Sequence, residues 1–164
     1  MFSDDIQQTA AAVISAAARR GWTLATAESC TGGLVAGALT GIAGSSAVVD
    51  RGFVTYSNAA KSEMIGVPAL LIERNGAVSE PVARAMAAGA RDEAGVTLAV
   101  SITGIAGPGG GSEAKPVGLV HFACASPAGV AHVEHRFGDL GREAVRMASV
   151  RVALDLLLQA CEGE

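Results

Sequence analysis

The best position for a nucleophile lies in Ala27-Glu28-Ser29-Cys30-Thr31-Gly32-Gly33. A short apolar, β-prone run, Thr23 to Ala27, precedes it and an apolar helical run, Leu34 to Leu39, follows, so the spacing predicts a strand-to-helix turn around Ser29. Backbone N–H groups at a helix start lack intrahelical acceptors and the helix dipole is positive there. The turn is therefore expected to favour an anionic ligand group or a developing oxyanion, with Gly32 and Gly33 allowing close backbone approach. The hydrolase elbow Gly-x-Ser-x-Gly is absent, since Ala27 and Thr31 occupy its glycine positions. On residue type alone, Ser29 or Thr31 capping the next helix is the commoner use of such residues. Cys30 competes as nucleophile, although a small Cys beside a strand end is more often simply buried.

A base is available in Tyr56-Ser-Asn-Ala-Ala-Lys61. A lysine in a partly desolvated pocket loses its proton more readily and can activate a serine, as in Ser–Lys hydrolases, and Tyr56 could relay a proton or hold the lysine. The plainer readings are a solvated helix lysine and a core tyrosine ring with its hydroxyl at the surface. From spacing alone they come first. A third feature follows Thr103: Gly104-Ile-Ala-Gly107-Pro-Gly109-Gly110-Gly111-Ser112, too glycine-rich for regular structure. It fits neither Gly-x-Gly-x-x-Gly nor a P-loop, and reads as a flexible connection or a phosphate-binding nest. Arg142 and Arg146 stand one helical turn apart near a helix start, where positive charge opposes the dipole; a phosphate ligand or a solvated basic face beside Glu143 explains them equally well. His121, His132 and His135 have no metal-ligand spacing and read as structural, the first two pairing across strands.

The elements that must position these groups follow from periodicity. A helix over Asp4 to Arg20 has Ser3 as N-cap and Gly21 as stop. Strand Thr23 to Ala27 and the helix after Gly33 form the first β-turn-α unit, followed by a strand over Gly52 to Tyr56. Asn58 is expected to cap a short helix ending at Ile65, and another short helix covers Ala69 to Arg74. Ser79 caps a long helix reaching Gly95. Strand Thr97 to Thr103, a hairpin of Val117 to Ala125 and Val130 to Phe137, and a helix over Arg142 to Ala160 complete the chain. Alternating helices and strands followed by a hairpin predict a three-layer α/β/α sandwich with a mixed, mostly parallel sheet. In such sheets ligands gather beyond the carboxyl ends of parallel strands, so the Ser29, Tyr56 and Thr103 loops would share an edge.

Composition sets the boundaries. With 164 residues, half of them apolar, the chain suits one domain over 1–164. A net charge of −4 gives no general attraction to nucleic acid or anionic membranes. The acidic start lacks a signal peptide's basic region, and three cysteines form no Cys-x-x-Cys pair, so a soluble cytoplasmic protein is expected. The Ala-rich outer helix, with few charges, makes a homo-oligomer the expectation.

The words Thr-Ala-Glu-Ser-Cys-Thr-Gly-Gly (26–33), Ala-Gly-Ser-Ser (43–46), Arg-Gly-Phe-Val-Thr-Tyr-Ser-Asn (51–58), Lys-Ser-Glu-Met-Ile-Gly-Val (61–67), Gly-Ala-Val-Ser-Glu (76–80), Thr-Gly-Ile-Ala-Gly-Pro-Gly-Gly-Gly (103–111) and Lys-Pro-Val-Gly-Leu-Val (115–120) resemble the C-terminal domain of the competence-damage-inducible protein CinA. They occur in family order, and the resemblance extends from about Trp22 to Leu156. Chains of this type without the N-terminal domain include stand-alone nicotinamide-nucleotide amidohydrolases. These convert nicotinamide mononucleotide to nicotinic acid mononucleotide and ammonia in pyridine-nucleotide salvage. The resemblance implies the CinA-type fold, Ser29 as nucleophile, Lys61 as base, Tyr56 as the associated tyrosine, and no metal or organic cofactor. Less specifically it implies nucleotide contacts from Thr31, Gly32 and Gly33, from Thr103, Gly104, Gly107, Gly109 and Gly110, and from Arg142 and Arg146. Gly-Asp-Leu-Gly-Arg-Glu (138–143) is a looser version of the family's Gly-Asp-Arg-Glu, so the register of the arginines is the part least fixed by it.

Overall fold

The strand Leu24–Glu28 (β1) is buried along its whole length, which requires cover on both faces. The computed structural model describes residues 1–163 and provides that cover with two helical layers. The elements are α1 (Asp4–Arg20), β1, α2 (Leu34–Thr40), a 3₁₀ turn (Ser45–Ala47), β2 (Val49–Val54), α3 (Asn58–Ile65), α4 (Ala69–Asn75), α5 (Glu80–Ala94), β3 (Leu98–Gly104), β4 (Leu119–Ser126), β5 (Gly129–Arg136) and α6 (Arg142–Glu162). The sheet order is β2-β1-β3-β4-β5. β1 pairs in parallel with β2 and β3, while β3–β4 and β4–β5 are antiparallel. The α/β/α sandwich with a mixed sheet expected from the sequence is the observed fold.

Side-chain alternation divides the core. Leu24, Val100, Ile102 and Phe122 face α1, α2 and α6, whereas Ala25, Ala27 and Ala99 face α3, α4 and α5. The second face is built from small residues, and Ala83 and Ala87 of α5 meet Ala123 and Ala125 of β4. Small side chains on both partners let α5 lie close to the sheet, and the Ser101 hydroxyl donates to Ala83 O at 2.6 Å. α5 is equally close to its helical neighbour, since a Cβ on Gly89 would fall 1.9 Å from Ile65 O.

Two boundaries differ from the sequence reading in a way that matters for the site. β2 covers Val49–Val54, not Gly52 to Tyr56, so Tyr56 leaves the sheet although Thr55 N–H still donates to Glu28 O at 2.9 Å. Ser57, not Asn58, caps α3, its Oγ accepting from Ala60 N–H at 3.0 Å. The earlier strand end and earlier cap turn the chain sharply and bring Lys61 back over the end of β1. Because β1, β2 and β3 run in parallel, the Ser29 turn, the 55–61 segment and the glycine loop all leave the sheet at one edge.

Gly89→Ala drives a methyl group into the backbone of α3 with no flexible side chain to move. It is expected to destabilise the fold by about 2–3 kcal/mol, checked by urea unfolding.

Candidate active site

Ser29 follows the last residue of β1, and its N–H donates to Ile102 O at 2.9 Å, which continues the β3 pairing past the strand end. Across the gap Lys61, on the first turn of α3, is 1% exposed, and its Nζ lies 3.2 Å from Ser29 Oγ. The amine also donates to Thr55 O at 2.8 Å and to Tyr56 O at 3.3 Å. No carboxylate forms an ion pair with it among the described residues. Burial without a counter-ion lowers the proton affinity of the Lys61 amine from the ordinary lysine value. Ser57 O lies at 3.5 Å as a third carbonyl, and in its neutral form the amine would place its two N–H groups on these carbonyls and leave its lone pair for the Ser29 hydroxyl. The solvated-lysine reading does not describe this residue.

The turn itself differs from expectation. Neither Ser29 nor Thr31 caps α2: the N-cap is Gly33, with no side-chain cap, and Thr31 Oγ1 is buried without a partner. The helix-start amides go to Glu28, whose Oε1 accepts from Val35 N–H at 2.9 Å and Oε2 from Ala36 N–H at 3.0 Å. The Thr26 hydroxyl completes this carboxylate's shell at 3.1 Å. Those α2 amides therefore do not offer the anion site that the sequence suggested, because an internal carboxylate already occupies it. Glu28 carried no periodic signal; only the return of α2 over β1 reveals its role. Cys30 lies beside Ser29 but is buried, which pushes its thiol up to about 12 and makes it a poor thiolate.

A cavity of about 260 Å³ opens at this edge, and the predicted residues divide around it. Ser29, Lys61, Tyr56, Thr103, Gly104, Gly107, Gly109, Gly110 and Arg142 line it; Thr31, Gly32, Gly33 and Arg146 do not. Asn58, which the sequence marked only as a helix cap, lines it too, as do Ala77 and Val78, which no sequence signal marked as site residues. Thr103 Oγ1 donates to Ala77 O at 2.9 Å, tying β3 to the start of α5. The Tyr56 hydroxyl is not bonded to Lys61 or Ser29: it accepts from Arg142 Nη2 at 3.2 Å, and Arg142 Nη1 donates to Gly107 O at 2.8 Å. The residue's carbonyl, not its hydroxyl, helps hold the lysine, since the early end of β2 turns the ring outward to the rim. Arg146 is turned instead beneath the Ser29 turn, donating to Cys30 O at 3.0 Å and Thr31 O at 3.3 Å.

Other groups lie apart from this chemistry. His121 Nδ1 and His132 Nε2 meet at 2.9 Å, a diagonal cross-strand contact, since His121 is opposite Glu134 in the register. Burial lowers both imidazoles' proton affinity. No cluster of three or more metal-ligating side chains occurs among the described residues. No described helix is long and apolar enough to cross a membrane. A larger cavity, about 460 Å³, lies at the opposite sheet edge around Trp22, Pro127 and Leu156; the one lysine or arginine lining it, Arg20, is bound to Cys161 O and Gly163 O.

The fold and site thus define an α/β/α domain with a serine and a buried, unpaired lysine at the carboxyl edge of a parallel β-unit. A family model described as the CinA C-terminal domain matches residues 6–161. The chain belongs to that family. It is 53% identical to the competence/damage inducible protein CihA from Agrobacterium tumefaciens, whose crystal structure superposes with a TM-score of 0.96 over 98% of both chains. A CinA-like protein of Synechococcus sp. (strain RCC307) is 52% identical over 95% of this chain, and one of Anaeromyxobacter dehalogenans (strain 2CP-C) is 54% identical over 88%. The matches span 38% and 35% of those two longer relatives.

The lowered proton affinity of Lys61 fixes a sign for stability. Between its folded value and the ordinary lysine value the unfolded chain binds more protons, so raising pH through that window stabilises the fold. Thermal unfolding is expected to show wild type gaining stability relative to Lys61→Met as pH rises from neutrality toward the lysine range; a slope of the other sign would mean that burial does not dominate.

Proposed function

We propose that this domain hydrolyses the carboxamide of nicotinamide mononucleotide through an acyl-serine. The observation that carries the reading is Lys61 Nζ, buried without a counter-ion, 3.2 Å from Ser29 Oγ. Neutral Lys61 takes the Ser29 proton as Oγ attacks the carboxamide carbon, and a backbone N–H of the turn receives the developing oxyanion. The resulting ammonium gives its proton to the departing nitrogen, releasing ammonia. Water, deprotonated by the same amine, then attacks the acyl-serine; the bond to Ser29 Oγ breaks, the ammonium returns its proton to that oxygen, and nicotinic acid mononucleotide is released.

Substrate choice rests on the family resemblance, supported by the rim chemistry. Arg142 bridges the glycine loop and Tyr56 at the cavity mouth, where a guanidinium can meet a phosphate while the glycines allow close backbone approach. The reaction as written uses protein groups and water alone. A cytoplasmic setting is consistent with three free, buried cysteines.

Ammonia release on adding nicotinamide mononucleotide is the direct test. Ser29→Ala is expected to abolish it while retaining nucleotide binding, and Cys30→Ala to keep most activity. Lys61→Arg should fail nearly as badly as Lys61→Ala, because a guanidinium stays protonated. The wild-type rate should rise with pH, with a midpoint below that of a free lysine, because only the neutral amine accepts the serine proton. Ligand-induced thermal stabilisation without ammonia would instead favour a nucleotide-binding module of the same family.

Arg142→Ala separates binding from chemistry. With the rim cation removed, KM for the mononucleotide should rise about tenfold or more with kcat little changed, as expected for a charge-assisted contact of about 1.5–3 kcal/mol. An unchanged KM would remove Arg142 from the phosphate role.

A further inference from the structure

The Ser29 turn is held through its peptide groups by two partly buried attachments, and these determine where the Cys30 N–H points, one of three turn amides, with those of Thr31 and Gly33, that have no oxygen acceptor among the described residues. Arg146, reaching in from α6, takes the carbonyls of Cys30 and Thr31 at 3.0 and 3.3 Å. Glu28 takes the amides of Val35 and Ala36, fixing the start of α2 to the end of β1. In a trans peptide the N–H and C=O point in opposite directions, so holding one end aims the other. With Thr31 O on Arg146, the N–H of Gly32 is turned back across the bend and donates to Ser29 O at 3.0 Å. That bond in turn fixes the Ser29–Cys30 peptide, leaving the Cys30 N–H directed the other way. Cys30 lines the cavity, as Thr31 and Gly33 do not, and its N–H meets its own thiol sulfur but no oxygen acceptor among the described residues. Ser29 N–H, by contrast, is committed to Ile102 O.

We infer that Arg146 and Glu28 are positioning residues that aim the Cys30 N–H at the substrate's carboxamide oxygen. The inference rests on the Ser–Lys reading of the site. In this arrangement the oxyanion that forms on the carboxamide oxygen as Ser29 Oγ bonds to its carbon accepts a hydrogen bond from Cys30 N–H. The donor is fixed before the reaction, so the turn need not reorganise as charge develops. Arg146 does this without contacting substrate: it does not line the cavity, and both its Nε and its Nη2 are occupied by turn carbonyls. Gly32 permits the approach. A Cβ there would lie 3.4 Å from Arg146 Nη2, and its φ of 56° is in the left-handed region.

The test compares Arg146→Ala, Arg146→Lys and Glu28→Gln with wild type. Each is assayed for turnover of nicotinamide mononucleotide and for the rate at which a small fluorophosphonate labels Ser29, a reaction needing the nucleophile and its oxyanion donor but no nucleotide contacts. Arg146→Ala is expected to lower kcat by about 10- to 100-fold, below the loss from deleting an oxyanion donor outright. KM should stay within about twofold, labelling should slow in parallel, and the pH midpoint set by Lys61 should not move. Arg146→Lys, which keeps the charge but lacks the planar fork that spreads Nε and Nη2 over two carbonyls, should fall between, and supplies the measurement if Arg146→Ala fails to fold. Glu28→Gln replaces one accepting oxygen with a donor facing an N–H or hydroxyl, so it should reproduce the kcat loss. If KM rises while kcat and labelling are unchanged in the Arg146 variants, Arg146 is a substrate ligand and the inference is wrong. If wild type labels and turns over but all three variants match it, the inference alone fails. A wild type that neither labels nor releases ammonia overturns the Ser–Lys reading and the inference with it.

Discussion

The structure depends on keeping one amine, Lys61 Nζ, out of water with no opposite charge beside it. Desolvation makes the ammonium costly, and the fold answers with carbonyl oxygens, not a carboxylate. The choice has a chemical consequence. A carboxylate partner would hold the proton on the lysine at neutral pH, whereas carbonyls accept equally well from the two N–H groups of the neutral form. The carbonyls come from Thr55 and Tyr56, so the amine can be placed only where β2 stops early and the chain turns into α3. Ser57 as cap and Val67 N–H on Lys61 O at 3.1 Å fasten both ends of that short helix.

The opposite side of the site is built by committing polar groups inward. Glu28, 1% exposed, is a buried carboxylate paired not with a cation but with two helix amides and a hydroxyl. Its neighbour Ser29 is thereby fixed between β3, through Ile102, and α2. The two arginines of α6, one turn apart, take different tasks because one points to the rim and the other beneath the turn. Arg142 joins the glycine loop to Tyr56, and Arg146 fastens the backbone around Ser29. A helix start that would ordinarily disfavour cations in its first two turns retains both because each finds carbonyl acceptors.

The alanine-rich interface between α5 and the sheet serves the same end. Small side chains on β1, β3 and α5 shorten the distance between layers, so Ala77 at the approach to α5 reaches Thr103 and closes the cavity wall. Larger residues there would move α5 outward and take the 77–78 wall with it.

Periodicity and turn chemistry carried most of the architecture: the helices, the two β-turn-α junctions, the hairpin and the layered fold are local patterns that a single chain displays. The words around Ser29, Lys61 and the glycine loop likewise carried the family, since residue identity in order needs no coordinates. What only the tertiary structure decided was which polar atom meets which. Glu28 and Val35 are seven positions apart with no helical or strand period joining them, and Arg146 reaches Cys30 across 116 positions. The outward turn of the Tyr56 ring follows from β2 ending at Val54, a boundary fixed by pairing with β1 rather than by composition. Sequence alone determined which groups were available for chemistry; their direction, and hence whether each faces the cavity or supports the turn, was decided by long-range packing, because hydrogen bonds are directional and local patterns are not.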